Sequence, residues 1–149
     1  MTVMDKSAAL VRPVILGLEF LTPVADLLLR LWVANVFWKS GLTKIQSIDT
    51  TILLFQYEYQ VPWLSPEVAA YVATAAELVL PVLLAVGLAG RFAAGALFAF
   101  NIVAVVSYPA LQLPGKLEHL LWGIMLLMPL FRGPGKISVD YFFRRRYVD

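Results

Sequence analysis

Between Ala69 and Leu88 the chain is almost wholly apolar, and one acid, Glu77, stands in the middle of the run. An α-helix rises about 1.5 Å per residue, so about 20 residues cross a hydrocarbon layer about 30 Å thick. This run is long enough. Three further apolar stretches follow the same logic: residues 24–44, which carry Asp26, Arg30, Asn35 and Lys39; residues 92–108, with Asn101 near the centre; and residues 117–131, the shortest. Between them lie a long aromatic-rich loop from Ile45 to Pro66, a tight turn at Gly87–Arg91 and a Pro/Gly turn at Pro109–Lys116. In the long loop Ile52, Leu53, Leu54, Phe55, Tyr57, Tyr59 and Trp63 stand among Asp49, Glu58 and Glu67, a mixture suited to the lipid–water interface. Residues 8–21 are apolar but interrupted by Arg12, Pro13 and Glu19, which reads as an amphipathic segment lying on the membrane surface. Pro23 sits where a helix can begin, because its missing N–H is harmless in a first turn.

The pattern therefore predicts an all-α fold: a polytopic membrane protein built as a four-transmembrane-helix bundle, preceded by an N-terminal interfacial amphipathic segment. The expected spans are 67–88, 24–44, 92–108 and 117–131, with residues 1–22 at the cytoplasmic face and 132–149 as a basic cytoplasmic tail, all in one membrane domain over 1–149. No internal repeat or low-complexity segment is visible.

Composition agrees. Hydrophobic residues make up 60% of the chain, charged residues 15%, and mean hydropathy is +0.78. Soluble domains average roughly 45–50% apolar and 25% charged residues. Cysteine is absent, which removes disulfides, thiolate metal sites and cysteine nucleophiles from consideration. The single histidine, His119, rules out a His-rich metal cluster within one protomer. The net charge of +2 forms no basic stripe, so nucleic acid is not an expected partner. Lys6 and Arg12 precede apolar sequence without a small-residue cleavage pattern, so no removable signal peptide is expected. Lys6, Arg12, Arg91, Arg132, Lys136 and Arg144–Arg146 would share one side of the membrane, against Lys44 and Lys116 on the other. The positive-inside rule then places both termini in the cytoplasm.

The polar positions inside the spans are the candidate chemistry. A carboxylate in hydrocarbon is costly unless paired or protonated. Glu77 is thus either a proton-carrying, cofactor-facing acid or a structural acid paired with Arg30, Lys39 or Asn101. Ala70, Thr74, Glu77 and Pro81 share one helical face, and Pro81 deprives the Glu77 carbonyl of its usual donor. In the first span Arg30, Ala34, Phe37, Gly41 and Lys44 form a second stripe, whose small residues invite close helix contact. Asp26 and Arg30, four apart, are placed to pair. Arg30 and Lys44 are expected to snorkel toward opposite interfaces, while Lys39 lies a turn deeper than Lys44. Asn101 reads as interhelical glue or a ligand contact. His119 beside Glu118 reads as a solvated interfacial residue, a proton relay or a quinone contact. Haem ligation by His119 stays open, and bis-histidine ligation would need a dimer. Met125 and Met128 read as filler rather than copper ligands.

With these residues in place, the chain resembles the DoxX family of small four-helix bacterial membrane proteins. The resemblance rests on Arg30-Leu31, Phe37 with Ser40-Gly41 leading to Lys44, Glu77 with Pro81, Gly87-Leu88 followed by Arg91 and Ala93-Ala94, and Gly133-Pro134-Gly135 running into Ser138-Val139-Asp140. It spans residues 29–140. The family is functionally diverse. The resemblance implies a membrane subunit of a quinone-linked oxidoreductase or redox-stress complex, or a partner in a pathway for secreted metal-binding (copper) peptides, toward which the run Glu118–Gly123 points. It transfers only the polar set Arg30, Lys44, Glu77 and Arg91.

The leading functional expectation is a quinone-interacting membrane subunit that passes electrons or protons for a redox partner. Glu77 and His119 would be its catalytic groups. Lys39, Asn101 and Arg30 would supply further polar contacts, and Phe37, Trp38, Tyr108 and Trp122 the ring-stacking walls. No metal ligands are expected. The expected partners are the bilayer and either a protein partner or further copies of the chain. The alternatives are a non-enzymatic membrane anchor or partner protein and a small transporter, the latter disfavoured by the missing repeat.

Overall fold

The computed structural model describes residues 3–147, with side-chain surroundings from Val11 onward, so Lys6 lies outside the described side chains. Six helices follow one another: α1 (Val3–Gln46), α2 (Ile48–Tyr57), α3 (Pro66–Val86), α4 (Gly90–Ser107), α5 (Leu113–Arg132) and α6 (Val139–Tyr147). The fold is all-helical over the described residues. Helix α1 packs on α3, α3 on α4, α4 on α5, and α5 returns to α1, closing a ring; α2 lies against α3 and α1. Among the described residues, α3 and α4 are the helices long and apolar enough to cross a membrane.

Three boundaries differ from the sequence reading. The expected break at Pro23 does not occur. Helix α1 runs 44 residues through both Pro13 and Pro23. Its first buried residue among those described is Arg30, so both prolines fall before the tightly packed part of the helix, where their lost hydrogen bonds disturb no core contact. Inside the long loop the chain forms α2, because Thr51 and Phe55, four apart, bury one face against α3. Helix α5 begins at Leu113, four residues before the expected start, with proline in its first turn. Its 20 residues make it comparable in length to α3 and α4, with 21 and 18.

The core is one cluster of Val33, Ala34, Phe37, Leu84, Ala93, Ala94, Leu97 and Leu126, and a second of Phe55, Ala69, Ala70 and Ala73. Alanine is frequent because small side chains let helix backbones approach closely. Helix α3 starts with Ser65 accepting from the Val68 N–H, followed by Pro66 and an acid in the first turn. It ends at Gly87, which adopts φ +71°. There the Gly87 and Leu88 amides both donate to the Leu83 carbonyl, the usual glycine-terminated helix end.

Residues from four parts of the chain meet at this turn. Arg30 is 1% exposed and spends its guanidinium on carbonyls: Nη1 donates to Leu84 O and Ala85 O, and Nη2 to Ile137 O. The cation therefore sits on the negative end of α3 rather than forming the expected hydrogen-bonded pair with Asp26. Asp140 donates its N–H to Gly87 O at 2.9 Å, and its carboxylate accepts from Ala89 N at 2.8 Å and Gly90 N at 2.7 Å. An acid thus covers the positive start of α4, whose first residues have no helical partner for their N–H groups. Pro134 packs where a side chain at Gly90 would stand.

Glycine is required at position 87 on two counts. Its φ is positive, and an added Cβ would fall 2.4 Å from Ser138 Cβ and 2.5 Å from Arg30 Nη1. Gly17 has open space around it in a helix. Gly17→Ala is expected to raise the thermal midpoint slightly, by the roughly 0.5–1 kcal/mol that alanine gains over glycine in helices. Gly87→Ala is expected to lose more than about 2 kcal/mol through strain and displacement of Arg30. Thermal unfolding of both variants in one detergent checks the contrast.

Candidate functional site

Glu77 lies half-way along α3 and is 5% exposed. Its expected face is real: Ala70, Thr74, Glu77 and Pro81 are all buried. The partner of the acid differs from those expected. Lys44 Nζ donates to Glu77 Oε2 at 2.7 Å and to Ser40 Oγ at 2.8 Å, while Ser40 Oγ donates to Glu77 Oε1 at 3.1 Å. Both carboxylate oxygens are thereby satisfied by one helical turn of α1. Lys44 does not snorkel outward; it turns in, whereas Lys39 is exposed on another face of α1. Arg30 lies 14 residues before Lys44, about 21 Å away along the helix, and Asn101 is engaged elsewhere.

The ion pair needs α1 and α3 in contact, and Gly41 permits it. A Cβ at Gly41 would lie 3.0 Å from Glu77 C, Glu77 Cβ and Leu78 Cδ2. The stripe Phe37, Ser40, Gly41, Lys44 thus supplies an aromatic wall, a hydroxyl bridge, a close backbone approach and a cation in two turns of helix.

Beside this triad is a cavity of about 310 Å³. Phe37, Phe55, Tyr59, Phe100, Tyr108 and Trp122 form its aromatic walls. Phe37 meets Phe100 and Trp122 edge-on, with ring centroids at 6.4 and 6.1 Å. Tyr59 sits between Phe55 at 4.8 Å and Tyr108 at 4.9 Å. Burial first, then Tyr108, Glu77 and Glu58, push the Tyr59 phenol above its ordinary range, so it keeps its proton. Exposed apolar residues Leu64, Val72 and Val103 belong to the lining as well, so the opening between α3 and α4 is apolar.

Besides the Tyr59 phenol, three polar groups face this cavity with hydrogen-bonding capacity to spare. Lys44 uses two of its three N–H groups in the triad. Ser107 is 2% exposed and its Oγ has no partner among the described residues. His119 is the third. Asn101 Nδ2 donates to the His119 carbonyl at 2.8 Å, which fixes the amide so that Oδ1 faces His119 Nδ1 at 2.7 Å. Nδ1 must then carry the proton of the neutral ring, leaving Nε2 as an acceptor. The ring is held edge-on to Trp122 at 4.7 Å.

The structure therefore brings Phe37, Glu77, Tyr108, His119 and Trp122 around one cavity, with Asn101 behind His119 as a bridge between α4 and α5. Trp38, Lys39 and Arg30 lie outside it. Sequence reasoning missed Ser40, Ser107, Phe55, Tyr59 and Phe100 as site residues and gave Lys44 an outward position. The spacing of Ser40 to Lys44, and of Phe55 to Tyr59, carried a signal for two pairs. Nothing marked Ser107, whose placement depends on the Gln60 amide donating to its carbonyl at 2.7 Å. Among the described residues no three His, Asp or Glu side chains converge in a manner that would hold a metal ion.

A protein-family model described as DoxX matches residues 25–110. That range includes the whole Ser40–Lys44–Glu77 triad and Ser107, but not His119 or the Gly133–Asp140 segment. No curated protein and no solved structure matches the chain.

Leaving one charge of a buried pair without its partner typically costs about 3–5 kcal/mol, whereas replacing both charges is often nearly neutral. Lys44→Met and Glu77→Gln are therefore each expected to destabilise the fold. The first strands Glu77, the more deeply buried of the two partners, so the first is expected to be the worse. The double variant should recover a large part of the loss, and a thermal or chemical unfolding cycle on the four proteins measures the coupling.

Proposed function

The chain belongs to the DoxX family of membrane proteins, the matched residues making up more than half of it, and from that premise we propose that it binds the ring of a lipid-soluble quinone or quinol for a redox partner. The observation that carries this reading is the buried Ser107 hydroxyl without a partner, inside an aromatic cavity that also holds the Lys44–Glu77 pair and the His119 acceptor. An unsatisfied buried polar group costs free energy, and a ligand oxygen would relieve that cost. The cavity is of a size suited to a small ring. Its apolar opening between α3 and α4 suits a ligand that arrives from lipid, with the tail left outside.

All four ring-forming helices, α1, α3, α4 and α5, cross the membrane in this proposal, with both termini in the cytoplasm of a bacterial cell. Arg30, Arg91, Arg132 and Lys136 then belong to the inner end, and the cavity to the outer half. A bound quinone would supply the electron chemistry. The residues of the chain would orient it and move protons: Lys44 donates to one ring oxygen, His119 Nε2 accepts from a hydroxyl, and Asn101 holds the imidazole in the required tautomer. Glu77 and Ser40 hold Lys44 in position.

A second reading, a non-enzymatic membrane partner protein, draws on the first half of α1. Residues 11–21 are all exposed, with Val11, Val14, Ile15, Leu18 and Phe20 among them, and they precede Arg30, the first buried residue of the helix among those described.

The first reading is tested with protein purified in mild detergent and titrated with a short-tailed quinone, using quenching of tryptophan fluorescence. Saturable quenching is expected, together with quinone among the lipids extracted from the native preparation. Ser107→Ala is expected to weaken binding roughly five- to tenfold, the worth of about one hydrogen bond. Absence of both retained quinone and saturable quenching would sink the redox reading and leave the partner-protein reading, for which co-purification from native membranes is the readout.

A further inference from the structure

At the opposite end of the ring from the Glu77 cavity is a second, larger concavity of about 690 Å³. Arg91 from α4, Arg132 from the end of α5, Lys136 from the connection to α6 and Arg144 from α6 all line it. Its acids are largely engaged elsewhere. Asp140 is spent on the Ala89 and Gly90 amides, and the charge of Asp26 acts on the buried Arg30. Glu19 remains. Among the described residues no carboxylate lies within ion-pair distance of Arg91, Arg132 or Lys136. Arg91 has one long hydrogen bond, 3.4 Å, to the Phe131 carbonyl.

Three cations converging on one recess, with Glu19 and Asp26 in its lining but neither within ion-pair distance of them, repel one another and leave room for an anion to join them. A general excess of basic residues at an inner membrane face would not require them to share a recess. The surroundings indicate where the anion comes from. Phe92, Phe131 and Tyr141 are exposed next to the basic groups, as aromatic rings are at headgroup depth. Leu18 and Leu21, exposed on α1 beside the lining residues Glu19 and Thr22, offer apolar surface for acyl chains. Basic recesses between helix ends on the cytoplasmic side are suited to acidic lipid headgroups.

We infer that this recess binds the phosphate of an anionic phospholipid, held by Arg91, Arg132 and Lys136 between the ends of α4 and α5 and the C-terminal helix. The site would tie the C-terminal segment to the bilayer surface where Asp140 and Arg30 already tie it to the α3–α4 turn. It does not depend on what occupies the Glu77 cavity.

The test is lipid binding to the full chain in a neutral detergent, where there is no charged membrane surface, read by native mass spectrometry. Phosphatidylglycerol is the probe, phosphatidylcholine the uncharged comparison, and inorganic phosphate the soluble competitor. Phosphatidylglycerol should bind in preference to phosphatidylcholine, and millimolar phosphate should not displace it. Arg132→Gln with Lys136→Gln should weaken retention roughly 25-fold, taking about fivefold for each of the two lost charges. Arg145→Gln with Arg146→Gln removes the same charge from α6 outside the recess and should change retention less than about twofold. Equal losses from the two double variants would reduce the effect to diffuse basic charge and overturn the proposal. So would equal binding of the two lipids, or displacement by free phosphate, which would assign the recess to a soluble anion.

Discussion

A carboxylate buried among helices must meet a positive charge or give up its own, and the structure is arranged around that requirement at Glu77. The compensating charge comes from α1, so it is present only when α1 and α3 are in contact. Gly41 makes the contact possible by leaving no side chain between the two backbones. Ser40 completes it by satisfying the second carboxylate oxygen and accepting from the same lysine. Helix packing and charge compensation are therefore one event. A side chain at Gly41 would oppose both, and loss of either ionic partner would leave the other stranded in a low-dielectric site.

The same logic operates with opposite sign where the packed part of α1 begins. Arg30 is a buried cation whose donors go to carbonyls at the end of α3 and to Ile137, and Asp140 is an acid whose acceptors go to the first amides of α4. Each charge faces the helix end of complementary polarity. Segments far apart in sequence, around residues 30, 87, 90 and 138–140, are locked together by groups that would otherwise be unsatisfied. Gly87 and Gly90 provide the room, against Ser138 and Pro134.

With both ends fixed, the space between the helices on the Glu77 side is not filled by side chains alone. Helix α2 and the loop after it fold back over α3, placing Phe55 and Tyr59 as a lid against Tyr108, and the cavity is what remains beneath. Its polar groups are held by partners behind them: Lys44 by Glu77 and Ser40, His119 by Asn101. The buried Ser107 hydroxyl has no such partner among the described residues. The walls of this chamber are aromatic, and Ser107, Lys44 and His119 are among its few polar lining groups.

Local sequence was sufficient for much of this. Apolar length fixed where α3 and α4 lie, since a run such as Ala69–Leu88 has no other economical conformation in or out of lipid. Spacing of three and four residues identified the stripe from Arg30 to Lys44 and the face of Glu77, because those faces follow from helix geometry alone. Helix limits were less legible: the α1 prolines and the start of α5 depend on whether neighbours are present to be disturbed, which local sequence does not record. Tertiary structure alone decided which charges meet. Lys39 and Lys44 carry the same group five residues apart, and only the direction each faces relative to α3 makes one the partner of Glu77 and leaves the other at the surface. Likewise, Ser107 and Tyr59 became site residues only when the loop closed over α3, since a short polar or aromatic side chain has no intrinsic address until a neighbouring helix supplies one.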